Sequence, residues 1–270
     1  KKWVTTNQVG PKVEVRFGPD KWEAEYCPNG DAGMEIIALA QALSYYESPK
    51  ELSNGSPFDW SVIKLHDIAK HDHSYSTGNN NFELIPEDCP LTDSEHLKLG
   101  AFIKDLGAKC DADYASTKTT IDPISIVDAL CQYVDNVNWS FGSIADDSLL
   151  DRTIENGIGI VFGLDASDQI VLVWVVDGYK DVDIYTNEYI NKTQSPYFGW
   201  ELIDSQKTGE GRFYHYNWGW YGKCNGYFNK KVFDPLNASE YDYNKNNTTD
   251  RPYSGLTKQT AILSFDRNEN

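Results

Sequence analysis

Ile170-Val171-Leu172-Val173-Trp174-Val175-Val176-Asp177-Gly178 contains the longest apolar run of the chain and marks where the sequence changes character. The run is too short to cross a bilayer as a helix, is rich in β-branched residues and closes on an Asp-Gly pair, so it reads as a buried strand. Gly159 to Leu164, Gly211 to Trp218, Gly226 to Asn229 and Thr260 to Asp266 read the same way, as short β-type runs separated by Gly, Asn and Asp. Upstream the period is helical. Asp31 to Tyr46 places Ile36, Ile37, Leu39, Ala40 and Leu43 at helical spacing on most sides, the pattern of a buried helix, with Asn29 and Asp31 as candidate N-caps and Glu35 in the first turn. Further helices are expected at Trp60 to Lys70, Ser94 to Leu106, Pro123 to Tyr133 and Asp147 to Asn156, with loop-rich text from Ser48 to Pro90 and a long surface loop from Asn237 to Tyr253. Helices first and strands second indicate an α+β fold, a helical part packed on a twisted antiparallel sheet with a cleft between them. The expectation is a single domain over residues 1–270, with a helical lobe over roughly 20–156 and a β-rich lobe over roughly 157–270.

Composition excludes several classes. The 270 residues carry 24 Lys+Arg against 41 Asp+Glu, a formal net charge of -17, and the longest basic words are doublets such as Lys230-Lys231, so nucleic acid is excluded as a partner. The acidic excess reads as a solubilising surface. Hydrophobic residues at 40%, including 8 Trp and 17 Tyr, suffice for a sizeable core and exclude disorder. No transmembrane segment is expected, and a start at Lys1-Lys2-Trp3 reads as a mature or trimmed product from which a signal peptide has been removed. Five cysteines, Cys27, Cys89, Cys110, Cys131 and Cys224, are too scattered for a disulfide scaffold and form no Cys-x-x-Cys pair.

Three segments read together carry a resemblance. They are Tyr26-Cys27-Pro28 running into Gly33-Met34-Glu35-Ile36-Ile37-Ala38-Leu39-Ala40-Gln41, then Leu172 to Tyr179, then Tyr214-His215-Tyr216-Asn217-Trp218-Gly219-Trp220-Tyr221-Gly222 closing with Asn225-Gly226-Tyr227-Phe228. Their order and spacing, with Phe58-Asp59-Trp60, resemble the streptopain-type secreted cysteine peptidases, a bacterial, papain-like family. The resemblance implies a papain-like fold and an exported protein in the cell envelope or outside the cell, under which the Asn-x-Ser/Thr words carry no glycosylation signal. In that family the helix begins Gly-Cys-Val-Ala-Thr-Ala-Met-Ala-Gln, with Cys as nucleophile; Met34 stands in its place. The family's general base is the His of Gly-His-Ala-Trp/Phe-Val-x-Asp-Gly-Tyr, and Leu172 takes that position. Asn217 matches the residue that orients the imidazole, Trp218 the ring that shields it, and Pro19, in Phe17-Gly18-Pro19, falls where the family often has the oxyanion-hole Gln.

A thiol peptidase needs a thiolate to attack the carbonyl and an imidazolium to protonate the leaving amine. Met and Leu offer neither, so the resemblance together with these departures implies a catalytically inactive relative whose degenerate cleft is kept for a peptide or protein ligand. The alternative is an active peptidase with a relocated nucleophile, for which Cys27 with His215 is the nearest candidate pair; Cys27 lies ahead of the helix and structural roles are expected for both. A third reading fills the cleft and puts the partner elsewhere, on the Asn237 to Tyr253 loop. No cofactor and no metal is expected: His66, His71 and His73 with Asp67 and Asp72 have a ligand-like spacing but read as a solvated helix end, and Asp181-Val182-Asp183 reads as an acidic loop without an EF-hand pattern. The aromatic words around Trp218 and Trp220 read as core before they read as a stacking platform.

Overall fold

The run that opens at Ile170 lies inside a 7-stranded sheet in the computed structural model of the chain, which describes residues 2–20, 22–64, 93–115, 118–134, 137–143, 146–164, 167, 169–192, 199–222, 225–228 and 259–267. The strands are β1 (Lys2–Val9), β2 (Val137–Ser143), β3 (Gly157–Leu164), β4 (Ile170–Lys192), β5 (Gly199–Asn217), β6 (Gly226–Phe228) and β7 (Gln259–Arg267). The helices are α1 (Met34–Tyr46), α2 (Asp93–Lys109), α3 (Pro123–Tyr133) and α4 (Asp147–Asn156), with a further helical turn opening at Trp60. Strand order is β2-β7-β3-β4-β5-β6, β1 pairs β4, and every pairing is antiparallel. Among the described residues no helix is long and apolar enough to cross a membrane.

Side chains alternate between the two faces of a strand, and that period sorts the core. Val173 and Val175 of β4 join Ile158, Ile160 and Phe162 of β3 in the cluster that holds α1, whose Ile36, Ile37, Leu39 and Leu43 are fully buried. Leu172, Trp174 and Val176 point the other way, into a cluster with Val161, with Leu149, Leu150 and Ile154 of α4, and with Tyr214, Tyr216, Trp218 and Phe228. Helices therefore cover both faces: α1 with α2 and α3 on one, α4 on the other. The arrangement is α+β, helices against an antiparallel sheet, as the segregation of patterns predicts.

Several boundaries differ from expectation. Pro123–Tyr133 and Asp147–Asn156 match because each has an Asp N-cap: Asp122 accepts from Ile124 N at 3.0 Å, and Asp146 from Ser148 N at 3.0 Å and Leu149 N at 3.1 Å. α1 starts at Met34 with Gly33 as its N-cap and no side-chain cap, so Asn29 and Asp31 do not cap it. They shape the turn before it instead: Asp31 N donates to Asn29 Oδ1 at 3.1 Å and Gly33 N to Asp31 Oδ1 at 3.2 Å. Gly33 enters the helix at φ 84°, a left-handed conformation that favours glycine. The sheet also recruits β2 from the stretch read as the helical lobe, and β1 from the segment ahead of it. Asp181-Val182-Asp183 is part of β4, not a loop: Asp181 pairs with Arg212 at 2.7 Å and Asp183 with Lys207 at 2.7 Å. The cluster of His66, Asp67, His71, Asp72 and His73 and the Asn237 to Tyr253 stretch lie outside the described residues, as do Cys89 and Cys224.

Candidate functional site

The start of α1 meets the sheet at Met34. As the first helical residue it is half-buried, and it packs against both apolar clusters, including the one that contains Leu172 and Trp218. Leu172 is fully buried, 0% exposed, on the face of β4 turned away from Val173 and Val175. Trp218, also 0% exposed, lies 4.9 Å from Trp174 between ring centroids, stacks on half-buried Trp220 at 5.7 Å and meets Tyr216 and Phe228 edge-on at 5.5 Å each. Met34, Leu172 and Trp218 are thus gathered around one apolar cluster.

Asn217 behaves differently. It pairs with Val175 across the β4–β5 ladder, which puts it on the face that α1 covers. Its Oδ1 accepts from Gln41 Nε2 at 2.9 Å and from Gly219 N at 3.3 Å, and its Nδ2 donates to the Val15 carbonyl at 2.9 Å. The amide is consumed by α1 and by the segment before it, not directed at Leu172. Gln41 was missed by the sequence reading, although a glutamine in a helix apolar on all sides must find a partner once buried.

Pro19 does stand beside the helix start. Its carbonyl accepts from Ala32 N at 2.7 Å, two residues before Met34. The Phe17-Gly18-Pro19 segment is clamped from the β5–β6 connection: Tyr221 N donates to Phe17 O at 3.3 Å, its hydroxyl donates to Asp20, and its ring covers Gly18 so closely that a Cβ there would stand 2.3 Å from ring carbons. Proline offers no side-chain donor at this position.

The titratable groups near the helix start are shifted against nucleophilic chemistry. Glu35 is 4% exposed, its Oε2 has no hydrogen-bond partner among the described residues, and burial holds its pKa above the ordinary carboxylate value. Burial likewise raises the Cys27 thiol, with Asp31 adding to the rise against the lowering effects of a hydrogen bond with Tyr114 and of Lys104. Cys110, buried on the helical side, is pushed up to about 12 by burial. Cys131 is exposed.

Cys27 and His215 have separate neighbourhoods. His215 Nδ1 contacts Asp177 Oδ1 at 2.6 Å, and the second oxygen of this buried carboxylate accepts from Lys12 N at 2.9 Å and Val13 N at 2.7 Å. Asp177 therefore anchors the segment after β1 to β4, and the His215 ring it contacts meets the Tyr227 ring edge-on, 5.1 Å between centroids. In the sequence the Asp177-Gly178 pair reads as the close of the strand, and its role as a buried anchor emerges only from the fold. Among the described residues no group of His, Cys, Asp and Glu is placed to hold a metal.

A central helix whose N-terminus meets an antiparallel sheet beside an Asn-Trp pair is the arrangement of a papain-like cysteine peptidase. The sequence model of the Peptidase C10 family matches residues 17–228, and the chain belongs to this family, the streptopain family. No curated protein sequence matches it. Among solved structures, active wild-type interpain A cysteine protease from Prevotella intermedia is similar with a TM-score of 0.56 at 14% identity, covering 96% of this chain and 95% of that one. A mutant fragment of prointerpain A from the same organism gives a TM-score of 0.52 at 14% identity, covering 96% of this chain and 72% of that one. At this identity the likeness extends to the papain-like fold.

Proposed function

We propose that this chain is a catalytically inactive member of its peptidase family, exported, that uses the groove at the start of α1 to bind a peptide or protein segment. The carrying observation is the chemistry at one place: Met34 heads α1, Leu172 is buried in the adjoining apolar cluster, and Pro19 stands beside the helix start. A thioether has no proton to lose, leucine neither takes nor gives one, and proline cannot donate to an oxyanion. Removing nucleophile or base from a serine protease costs on the order of a millionfold in kcat, and here both positions lack the required group. Met34 and Trp220 are both half-buried and pack against the same apolar cluster, and a thioether and an indole suit contact with a ligand side chain.

The test is hydrolysis of casein and of a fluorogenic peptide library by purified protein, followed by titration of the same peptides by calorimetry. The expected result is no turnover that a thiol inhibitor blocks, with saturable binding that Met34→Glu weakens. Inhibitor-sensitive turnover lost in Cys27→Ala would overturn the inactive reading in favour of a relocated nucleophile; the raised pKa values of Cys27 and Cys110 argue against that outcome.

A further inference from the structure

β4 and β5 run far beyond the rest of the sheet. β1 covers the outer edge of β4 from Tyr179 to Tyr185, and among the described residues nothing pairs with that edge from Thr186 to Lys192. β6 pairs with β5 only at Tyr214 to Tyr216. The outer parts of β4 and β5 therefore form a two-stranded arm. Its apolar groups are exposed: Trp200 is 71% exposed, Tyr189 51%, Ile190 49%, Leu202 48% and Ile203 59%. An arm with open backbone edges and large exposed apolar side chains is a ready template for pairing with another strand.

We propose that the partner is a second copy of this chain, added through antiparallel pairing of the outer edges of β4 with Ile190 opposite Ile190 at the two-fold axis. The charge pattern fits a copy of itself. Glu188 and Lys192 flank Ile190 at equal spacing, so that register sets each Glu188 opposite the other copy's Lys192, with the apolar pair between two ion pairs. The irregularities in the arm ladder put their extra residues, Thr208 and Ile203, on β5, so β4 keeps its alternation and Glu188, Ile190 and Lys192 share one face. Lys192 already contacts Glu201 across the ladder, while Glu188 has no ion pair among the described residues and gains one in the dimer. Trp200 and Leu202, on the opposite face with Tyr189 and Asn191, add apolar area beside the seam.

Self-association has to be local, because two chains of net charge -17 repel everywhere else. The Glu188–Lys192 segment contributes one charge of each sign and is neutral. A lipid surface fits less well: open strand edges cannot enter hydrocarbon without leaving backbone groups unpaired, and the acidic surface disfavours anionic headgroups. A seam of this length lies at the small end of specific interfaces, which sets the expectation of a weak dimer, half-formed at about 10–100 µM.

Sedimentation velocity on the full chain, up to several times that concentration, tests this. The expected result is a concentration-dependent dimer that Ile190→Asp abolishes. Glu188→Lys and Lys192→Glu, each alone, replace two attractive pairs with two repulsive ones and weaken the dimer about tenfold. Mixing the two variants restores opposite charges at both ends of the seam, because each position 188 again faces a position 192 of the other sign. The mixture therefore associates at least as tightly as wild type, a rescue that misfolding cannot mimic. A chain that stays monomeric throughout overturns the proposal. So do single reversals without effect, a mixture no tighter than its components, or a monomer recruited by the arm to lipid vesicles.

Discussion

Gln41 Nε2 donates to Asn217 Oδ1 at 2.9 Å, joining the middle of α1 to the end of β5 across a site from which water is excluded. The same asparagine donates to Val15 O, so one amide ties together the helix, the sheet and the segment leading to Pro19. Asn217→Ala strands Gln41 and the Val15 carbonyl in the interior and should cost about 1–3 kcal/mol. Urea unfolding followed by tryptophan fluorescence measures it. An unchanged midpoint would show that the amide is dispensable to this junction.

The described cysteines should react in a fixed order. Cys131 is exposed and labels first with iodoacetamide near neutral pH, while Cys27 and Cys110 stay protected until the fold opens. Because burial pushes the Cys110 thiol up to about 12, its thiolate is scarce at neutral pH, and its labelling should climb steeply with alkaline pH. Peptide mapping by mass spectrometry reads each site. Fast labelling of Cys27 in the native protein would contradict this order and revive it as a nucleophile.

Glu35 makes stability depend on pH in a direction that can be stated. A carboxyl whose folded pKa lies above its unfolded value holds its proton more tightly in the folded chain. The resulting stabilisation is present below the unfolded value, near about 4.3 for a free glutamate, and is lost as pH rises through the folded value. Glu35→Gln removes that loss, so the variant should melt at a higher temperature than wild type at pH 7, with the gap closing as pH falls below about 4.3. Scanning calorimetry across pH 3–8 tests it; a gap that is constant or opposite in sign counts against a buried, proton-holding Glu35.

Met34→Cys places a thiol at a half-buried helix start, and its iodoacetamide labelling should outpace that of Cys27 and Cys110. Adding Leu172→His puts an imidazole in a fully buried apolar cluster and should lower stability by about 2–4 kcal/mol. The double variant is expected to remain without peptide turnover, because the Asn217 amide is held by Gln41 and Val15 and does not orient residue 172, and the lack of a side-chain oxyanion donor at Pro19 costs about a further 10²–10³ in rate. Turnover appearing in the double variant would show that the missing thiol and imidazole were the only obstacles.

The sequence made the local elements legible where a single residue forces the backbone. Asp122 before Pro123, and Asp146, mark two helix starts without ambiguity. It concealed the arm, because Asp177-Gly178 has the composition of a strand end. In the folded chain Asp177 is a buried acceptor, and Gly178 lies so close to β1 that a Cβ would stand 2.8 Å from Val9 O. From Glu188 onward β4 is exposed, so its alternation there carries no burial signal. At the candidate site Leu172 and Trp218 lie in one apolar cluster and Met34 packs against it. The partners of Asn217 were not legible, since Gln41 and Val15 come from segments whose approach depends on how α1 lies on the sheet.

The strand order has a consequence for how such a chain comes to be folded. β7, the last described strand in sequence, is not an edge strand but sits between β2 and β3, pairing with one through Ala261–Arg267 and with the other through Gln259–Asp266. Until residue 267 has been synthesised one edge of β3 is left open, and β2, whose strand partner among the described residues is β7 alone, has no place in the sheet. Pairings this distant in sequence are the slowest to form. A growing chain is thus exposed to capture by any loose strand, and a segment made early, β2, waits for the last described strand before it can join the sheet.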